Sequence, residues 1–244
     1  MSKQVDMLMD FLQKSRSIVV ITGAGLSTGA GIPDFRSSSG IYRQGGVNET
    51  LFHIDYFRDH PDEFYRTFGP LYEKIISASP TYAHRFLKRL EELGRIKMVI
   101  TQNIDGLHQK AGSTNVIEIH GHLRQWDCLS CRASYGMEEW IDERVKKGET
   151  PFCQACGGVL KPHVVFFGEY VMGLEKAMQF VQMADLLMVL GSSLVVYPVA
   201  GLPGYRDENA RFVILNRDRT PLDDEADVVI HEDIDETLQQ LGFL

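Results

Sequence analysis

The stretch that decides the fold is Gly23–Arg36, GAGLSTGAGIPDFR, which follows the apolar run Ser17–Thr22 (SIVVIT). A buried strand that opens into glycines is typical of the phosphate-binding turn of α/β proteins, because glycine lets backbone N–H groups approach a pyrophosphate. The dinucleotide fingerprint G-x-G-x-x-G nevertheless fails, since Gly23 and Gly25 fit but Thr28 replaces the third glycine. The acidic ribose ligand expected about 20 residues later is also missing. The loop therefore predicts a dinucleotide site that differs from that of an ordinary dehydrogenase.

Composition limits the class of protein. The chain has 244 residues, of which 44% are hydrophobic and 24% charged, as in ordinary soluble globular proteins. A net charge of −8 argues against direct nucleic-acid binding, although an acidic surplus is commonly only a solubility feature. The first residues lack the apolar core of a signal peptide, and glycine and proline interrupt the apolar region Leu186–Leu202. We therefore expect a cytoplasmic protein that does not cross a membrane.

Apolar runs alternate with helical patterns along the chain. The runs are mostly apolar throughout, as burial on both faces of a parallel sheet requires. They predict strands at Ile18–Ile21, Lys97–Thr101, Val116–Ile119, His163–Phe167, Leu186–Leu190, Phe212–Leu215 and Asp227–Ile230. Helices are predicted at Lys3–Lys14, Asp62–Ile76, Pro80–Leu93, Met137–Lys147, Leu174–Met183 and Ile234–Leu241. This alternation predicts an α/β fold with a Rossmann-type, doubly wound parallel sheet that binds ligands at the carboxyl ends of its strands.

The cysteines form two C-x-x-C pairs, Cys128/Cys131 and Cys153/Cys156. Two such pairs supply four thiolates to one tetrahedral metal site, with Zn–S distances of about 2.3 Å. Redox motifs or two disulfides are alternatives, but a reducing compartment disfavours disulfides. Because four cysteine ligands leave no open coordination position, we expect one structural Zn²⁺.

Two stretches interrupt the alternation of strands and helices. Ser37–Ser79 is rich in aromatic and polar residues, and Gln125–Lys161 contains all four cysteines. We expect a small domain built from a helical module at 41–79 and a zinc-binding module at 125–160. The large domain would then be discontinuous, at 1–40, 80–124 and 161–244.

Polar residues follow two predicted strands. Asn103 and Asp105 come after the first, where amide and carboxylate groups could hold a sugar or a carboxamide, but either residue could equally begin a helix as its N-cap. His120 follows the second and could act as a general base near neutral pH, the alternative being a structural histidine at a turn. His84 and His108 fall inside predicted helices, where we expect packing or capping roles.

Together these residues resemble the sirtuin family of NAD-dependent protein deacylases, in its bacterial and archaeal form with a single catalytic core. The resemblance spans nearly the whole chain. It rests on GAGLSTGAGIPDFR, TQNIDGLH, His120-Gly121, the two C-x-x-C pairs, Val164–Glu169 (VVFFGE), Gly191–Leu194 (GSSL) and Asn216. It implies a large Rossmann-type domain, a small domain, and an active site in the cleft between them.

The resemblance further implies a protein-lysine deacetylase that consumes NAD. The oxygen of an acetyl-lysine would attack ribose C1′ and release nicotinamide, which is also an expected inhibitor. His120 would then act as general base, with Asn103 positioning ribose and water, to give O-acetyl-ADP-ribose and free lysine. The implied NAD contacts are Gly23, Ala24, Gly25, Thr28, Asp34, Phe35, Arg36, Gln102, Asn103, Ile104, Asp105, His120, Gly191, Ser192, Ser193, Asn216 and Ile234. The implied contacts with the substrate peptide are Val164, Phe166, Phe167, Gly168, Glu169, Val195, Val196 and Tyr197.

Two departures from the family pattern bear on the substrate. Ser37 stands where a glycine often follows Asp-Phe-Arg, which could alter the mobility of the loop. Family members that prefer acidic acyl groups pair a tyrosine with an arginine three residues later. Here the residue three positions after Tyr65 is Phe68, so the arginine is replaced by phenylalanine. We therefore expect an apolar acyl pocket. A protein ADP-ribosyltransferase using the same NAD site, and a catalytically silent NAD-sensing or zinc-knuckle binding module, are the alternative functions.

Overall fold

The computed structural model describes residues 2–34, 40 and 49–242. Its strands are β1 (Ile18–Thr22), β2 (Ile96–Thr101), β3 (Val116–Glu118), β4 (Gly121–Cys128), β5 (Ser134–Tyr135), β6 (Leu160–Val164), β7 (Leu186–Leu190), β8 (Arg211–Leu215) and β9 (Val228–Ile230). Its α-helices are α1 (Lys3–Lys14), α2 (Ile54–Asp59), α3 (Pro61–Ser77), α4 (Tyr82–Glu92), α5 (Leu107–Lys110), α6 (Glu139–Lys146), α7 (Leu174–Gln182) and α8 (Ile234–Gln240). None of these helices combines the length and the apolar character needed to cross a membrane.

The larger sheet is parallel and has the strand order β3-β2-β1-β7-β8-β9. Numbered along the chain within this sheet, that is the 3-2-1-4-5-6 order of the Rossmann fold. Strands β1 and β7 are neighbours, with Ile18 opposite Leu186 and Thr22 opposite Leu190. The strand order reverses between them, so their carboxyl ends flank the crevice where this fold binds ligands. The predicted doubly wound sheet is confirmed.

Side chains of β1 alternate between two cores, one on each face of the sheet. Ile18 and Val20 pack with the apolar faces of α1, α4 and α8. Val19 and Ile21 pack on the opposite face with α7. This period of two explains why the strand is apolar throughout, since each face has its own layer of helices.

A third core lies outside the parallel sheet. It joins α2, α3 and α6 to a smaller antiparallel sheet of order β5-β4-β6. Trp126 on β4 is fully buried and meets the ring of Tyr72 from α3 edge-on at 5.8 Å. The two stretches that interrupt the sequence alternation thus share one hydrophobic core.

The predicted strand His163–Phe167 is wrong. Strand β6 ends at Val164 and pairs antiparallel with β4, so it belongs to the smaller sheet. The apolar residues beyond it are a loop, in which Phe166 packs edge-on against Phe57 at 5.2 Å. An apolar run of this length cannot by itself distinguish a buried strand from a buried loop. Strand β4 was not predicted, whereas the other predicted strands and helices agree with the structure to within one or two residues.

Candidate active site

A cleft of about 390 Å³ opens at the carboxyl ends of β1, β2 and β7. Most of the predicted site residues line it. From the predicted NAD contacts these are Gly23, Ala24, Gly25, Thr28, Asp34, Gln102, Asn103, Ile104, Asp105, His120, Gly191, Ser192, Ser193, Asn216 and Ile234. From the predicted peptide contacts they are Val164, Phe166, Phe167, Gly168, Glu169, Val196 and Tyr197. Val195 is not among the described lining residues, and Phe35, Arg36 and Ser37 lie outside the described residues.

The floor of the cleft is a close contact between two glycine turns. Gly25 N–H donates to the carbonyl of Gly191 at 2.9 Å, and Gly23 N–H donates to the carbonyl of Leu190 at 3.1 Å. A Cβ on Gly191 would lie 2.2 Å from the backbone nitrogen of Leu26, and its φ of +66° also favours glycine. The first glycine turn leads into the 3₁₀ helix Ala24–Ala30. The glycines therefore serve the close approach of backbones beside the cleft.

A hydrogen-bonded chain links this turn to the end of β2. The Asn103 side-chain amide donates to the carbonyl of Gly23 and to Ser27 Oγ, both at 3.1 Å. Ser27 Oγ–H donates to Asp105 Oδ2 at 2.7 Å. Ser27 had no signal of its own in the sequence beyond its place in the glycine loop. These bonds fix the orientation of both polar side chains at the cleft wall.

Asp105 lies just before α5, whose N-cap is Gly106 rather than Asn103 or Asp105. Its Oδ1 accepts the N–H of Leu107, the first residue of α5, at 2.8 Å, so the carboxylate satisfies a helix-start donor. The same residue lines the cleft. Burial raises the pKa of Asp105, while the hydrogen bonds from Leu107 and Ser27 oppose that shift.

A hydrogen bond to the backbone defines the tautomer of His120. Its Nδ1 lies 3.1 Å from the carbonyl oxygen of Gln102, which can only accept, so Nδ1 carries the proton. In the neutral ring, Nε2 therefore holds the lone pair that can accept a proton. Burial lowers the pKa of His120, partly opposed by this hydrogen bond. The ring is thus neutral at physiological pH, as a general base requires.

His120 is the only histidine among the described residues that line the cleft. His122, close to His120 in sequence, lies on β4 with its ring 5.1 Å from that of His163. His84 forms a capping box with Thr81 at the start of α4, and His108 Nε2 lies 3.1 Å from the hydroxyl oxygen of Thr22. Burial lowers the pKa of His84 to about 2 and that of His108 to about 4. The predicted packing and capping roles of His84 and His108 are confirmed.

The loop after β6 forms one wall of the cleft and is tied to its surroundings through the backbone. Phe167 N–H donates to the carbonyl of Phe52 at 2.8 Å, and its own carbonyl accepts from Ile54 N–H at 3.0 Å. Val165 N–H donates to the carbonyl of His120 at 2.9 Å. Tyr197, which also lines the cleft, is 78% exposed.

Apolar side chains from α3 also line the cleft, and the sequence did not identify them. Leu71 and Ile75 are lining residues. Tyr65 and Phe68, on which the expectation of an apolar acyl pocket rested, pack instead in the aromatic core, where the Tyr65 hydroxyl donates to the carbonyl of Leu160. The apolar character of this wall therefore comes from different residues of the same helix.

One end of the cleft is formed by residues that directly follow β8. Asn216 lines it and is held by a 2.7 Å hydrogen bond from its side-chain amide to the carbonyl of Asp218. On the sheet side, Gln102 Nε2 donates to Ser192 Oγ at 2.8 Å. Four charged residues that the sequence did not identify also line this end of the cleft, namely Arg217, Asp218, Glu232 and Asp233.

The four cysteines form a separate cluster beside the smaller sheet. Their Sγ atoms all lie within 4.8 Å of one another, with Cys128 and Cys156 3.5 Å apart and Cys131 and Cys153 3.7 Å apart. Four thiolates at tetrahedral Zn–S distances would be separated by about 3.8 Å. Backbone N–H groups of Ser130 and Cys131 point at the Cys128 sulfur, as in a metal-binding knuckle. The donor set and its spacing fit zinc and leave no position for a substrate.

The fold and the cleft together define a Rossmann-type nucleotide-binding protein with a separate four-cysteine metal centre. A model of the Sir2 family matches residues 23–198. The chain therefore belongs to the Sir2 family.

Similar proteins align with this chain over almost their full length. An NAD-dependent protein deacetylase of Thermotoga maritima is 43% identical over 93% of this chain and 92% of the relative. One from Sulfurisphaera tokodaii is 41% identical over 96% of this chain and 93% of the relative. A solved Sir2 structure with a p53 peptide and NAD⁺ has a TM-score of 0.87 at 41% identity, covering 97% of this chain and 96% of the other. A Sir2 variant with a deacetylated p53 peptide and 3′-O-acetyl-ADP-ribose has a TM-score of 0.90, with the same identity and coverage.

Proposed function

We propose that this protein is an NAD-dependent protein-lysine deacetylase. One observation carries the proposal: a histidine whose tautomer leaves Nε2 as the proton acceptor shares a single cleft with the glycine turn, Asn103 and the Val164–Glu169 loop. The residues that would bind the nucleotide, the general base and the residues that would bind the peptide therefore all line one cleft. The relatives and neighbours point the same way, since they are named as deacetylases and include complexes with NAD⁺, peptide and O-acetyl-ADP-ribose.

Each part of the cleft has a task in this reaction. NAD is a substrate that supplies an electrophilic ribose carbon with nicotinamide as its leaving group. The glycine turn allows the close approach of a pyrophosphate, and Asn216 lies at the end where the adenosine half would bind. Asn103 and Asp105, fixed through Ser27, present amide and carboxylate groups to the ribose and the nicotinamide carboxamide.

His120 performs the proton transfer. Its Nε2 accepts a proton from a ribose hydroxyl, which makes that oxygen a nucleophile toward the acyl carbon. The carbonyl of Gln102 stabilises the protonated ring that results. The acetyl-lysine oxygen has by then replaced nicotinamide at ribose C1′, so the hydroxyl oxygen adds to an acyl carbon already joined to the sugar. Water then supplies the oxygen that this carbon needs as lysine leaves as the free amine, and the acetyl group stays on ADP-ribose.

The substrate peptide would bind as an additional strand between the Val164–Glu169 loop and Val195–Tyr197. Backbone pairing gives affinity with little dependence on sequence. The acyl chain would meet the apolar wall formed by Phe52, Leu71 and Ile75. We therefore expect acetyl and aliphatic acyl groups to react faster than acidic ones. Turnover of matched acetyl and succinyl peptides tests this expectation, and faster desuccinylation would contradict it.

The remaining assignments follow from the same arrangement. Zinc would stabilise the module at 125–160, which carries the four cysteines. Together with the helical module at 41–79, this module would form a small domain beside a large domain at 1–40, 80–124 and 161–244. Strands β4 and β6 run across two of these boundaries. Nicotinamide, as a product that fits the cleft, would inhibit. Four free cysteines gathered for a metal rather than paired in disulfides support a cytoplasmic location.

Product analysis tests the reaction type. An acetyl-lysine peptide is incubated with the protein, with and without NAD, and the peptide and nucleotide products are identified by mass spectrometry. A deacetylase gives NAD-dependent loss of the acetyl group and O-acetyl-ADP-ribose in solution. ADP-ribose attached to a protein would indicate an ADP-ribosyltransferase, and NAD binding without nicotinamide release would indicate a silent binding module.

A further inference from the structure

Lys161 lies under the Val164–Glu169 loop with only 10% of its side chain exposed. Its Nζ donates to the carbonyl of Val164 at 2.6 Å and lies 2.9 Å from Glu169 Oε2. The same ammonium lies 4.4 Å from the centre of the Phe166 ring. A lysine is almost never buried without such partners. One ammonium group therefore contacts the beginning, the middle and the end of the loop.

Glu169, at the end of the loop, contacts both Lys161 and the backbone of Phe166. Its Oε2 accepts the N–H of Phe166 at 2.8 Å, and its own N–H donates to the carbonyl of Phe166 at 3.0 Å. Burial lowers the pKa of Lys161, and the carboxylate of Glu169 opposes that shift. The Glu169 carboxylate thus accepts a hydrogen bond from its own loop, and its negative charge is paired with the ammonium of Lys161.

The loop connects the peptide wall to the catalytic base. Its remaining backbone groups bind Phe52 and Ile54 on one side and the carbonyl of His120, through Val165 N–H, on the other. A displacement of the loop would therefore change both the surface offered to a peptide and the support behind His120. Lys161 itself is not among the described residues that line the cleft.

We propose that Lys161 is a positioning residue for deacetylation, which holds the Val164–Glu169 loop in the conformation that accepts the substrate peptide. The inference rests on the proposed function, because it takes an acylated peptide as the occupant of this wall. The ammonium acts through the loop and contacts neither the peptide nor the nucleotide.

The chain offers a matched control in Arg206. Its guanidinium donates to the carbonyl of Pro203 at 2.9 Å and to Glu225 Oε2 at 3.1 Å, and lies 4.6 Å from the centre of the Phe212 ring. These are the same three kinds of contact, made by a side chain that is 19% exposed. None of these four residues is among those described as lining the cleft. Arg206→Met therefore removes a comparable cluster from a place where no peptide is expected.

The experiment compares Lys161→Met with Arg206→Met in steady-state kinetics, NAD titration calorimetry and thermal melting. Lys161→Met should raise the KM for an acetyl-lysine peptide roughly 10- to 100-fold, the range for losing a hydrogen bond to a charged group. Its dissociation constant for NAD should not change. Arg206→Met should lower the melting temperature and leave the peptide KM as in the wild type. Lys161→Arg, which keeps the charge, should restore most of the peptide affinity.

A folded Lys161→Met protein with an unchanged peptide KM would overturn the inference, as would an equal loss of affinity for peptide and NAD. If Lys161→Met does not fold, Glu169→Gln provides the second test, because it keeps an acceptor for Phe166 N–H but removes the charge that pairs with lysine. It should raise the peptide KM alone, and an unchanged value would again overturn the inference. Wild-type protein without acetyl-peptide turnover would instead contradict the proposed function.

Discussion

Gly25→Ala tests the close contact on which the floor of the cleft depends. A Cβ on Gly25 would lie 2.8 Å from Gly191 Cα and 2.9 Å from the Gly191 carbonyl oxygen. Carbon atoms in ordinary contact are about 3.5–4.0 Å apart, so the added methyl group overlaps its nearest neighbour by roughly 0.7 Å or more. Both neighbouring atoms are backbone and cannot rotate away. The two turns must therefore separate.

The expected cost follows from this overlap. Inserting a methyl group into a well-packed contact usually costs about 1–3 kcal/mol. Separation also stretches the 2.9 Å hydrogen bond from Gly25 N–H to the Gly191 carbonyl. We therefore expect the free energy of unfolding to fall by that amount. Because both glycines line the cleft, we also expect the dissociation constant for NAD to rise, by up to about 100-fold.

Urea denaturation and calorimetric titration with NAD measure these two quantities. Gly204→Ala is the matched control, because a Cβ there meets no atom within 4 Å and the residue lies in the 3₁₀ helix Val199–Tyr205, away from the cleft. It should behave like the wild type in both assays. If Gly25→Ala also keeps wild-type stability and NAD affinity, the argument from close backbone contact is refuted.

Further predictions concern the base and the metal centre. His120→Ala should lower kcat/KM by on the order of 10²–10⁴ while NAD still binds, and near wild-type activity would remove His120 from the mechanism. Burial lowers the pKa of His120 from 6.5, and the base acts in its neutral form. Wild-type kcat/KM should therefore stay constant from neutral pH downward and decline only below pH 6.5, and a decline that begins above pH 7 would contradict this assignment. Cys128→Ala should lose zinc and destabilise the fold, because structural zinc contributes about 10 kcal/mol, whereas Ser130→Ala in the same knuckle should retain the metal. Unchanged zinc content and melting temperature in Cys128→Ala would show that the tetrathiolate assignment is wrong.

The sequence was sufficient to predict the parallel sheet because its strands are buried on both faces. All five residues of β1 and of β7 are buried, so each strand stands out as a short run of apolar residues. Strand β4 carries half-buried polar residues such as His122 and Asp127 between its buried ones. That mixture is also typical of loops, and the partner strand β6 is distant in sequence. The smaller sheet therefore could not be predicted from local patterns.

The same distinction applies to the cleft. Asn103, Asp105 and His120 could be placed near the cleft because each follows a predicted buried strand, and ligands bind at the carboxyl ends of such strands. The local pattern left a cap or a turn equally open, and only the resemblance to the sirtuin family favoured a functional role. Leu71 and Ile75 could not be placed near the cleft, because an apolar residue on an amphipathic helix gives the same pattern whether it faces a core or a cleft. Their place at the cleft depends on how α3 packs, which is a property of the tertiary structure.

In the proposed reaction NAD is consumed and its ADP-ribose accepts the acetyl group. A peptide carrying a ¹³C-labelled acetyl-lysine, incubated with the protein and NAD and followed by NMR at early times, shows where the acetyl group goes. We expect the label to appear on O-acetyl-ADP-ribose, with one nicotinamide released for each lysine that is deacetylated. Initial release of the label as free acetate, without equivalent loss of NAD, would contradict it.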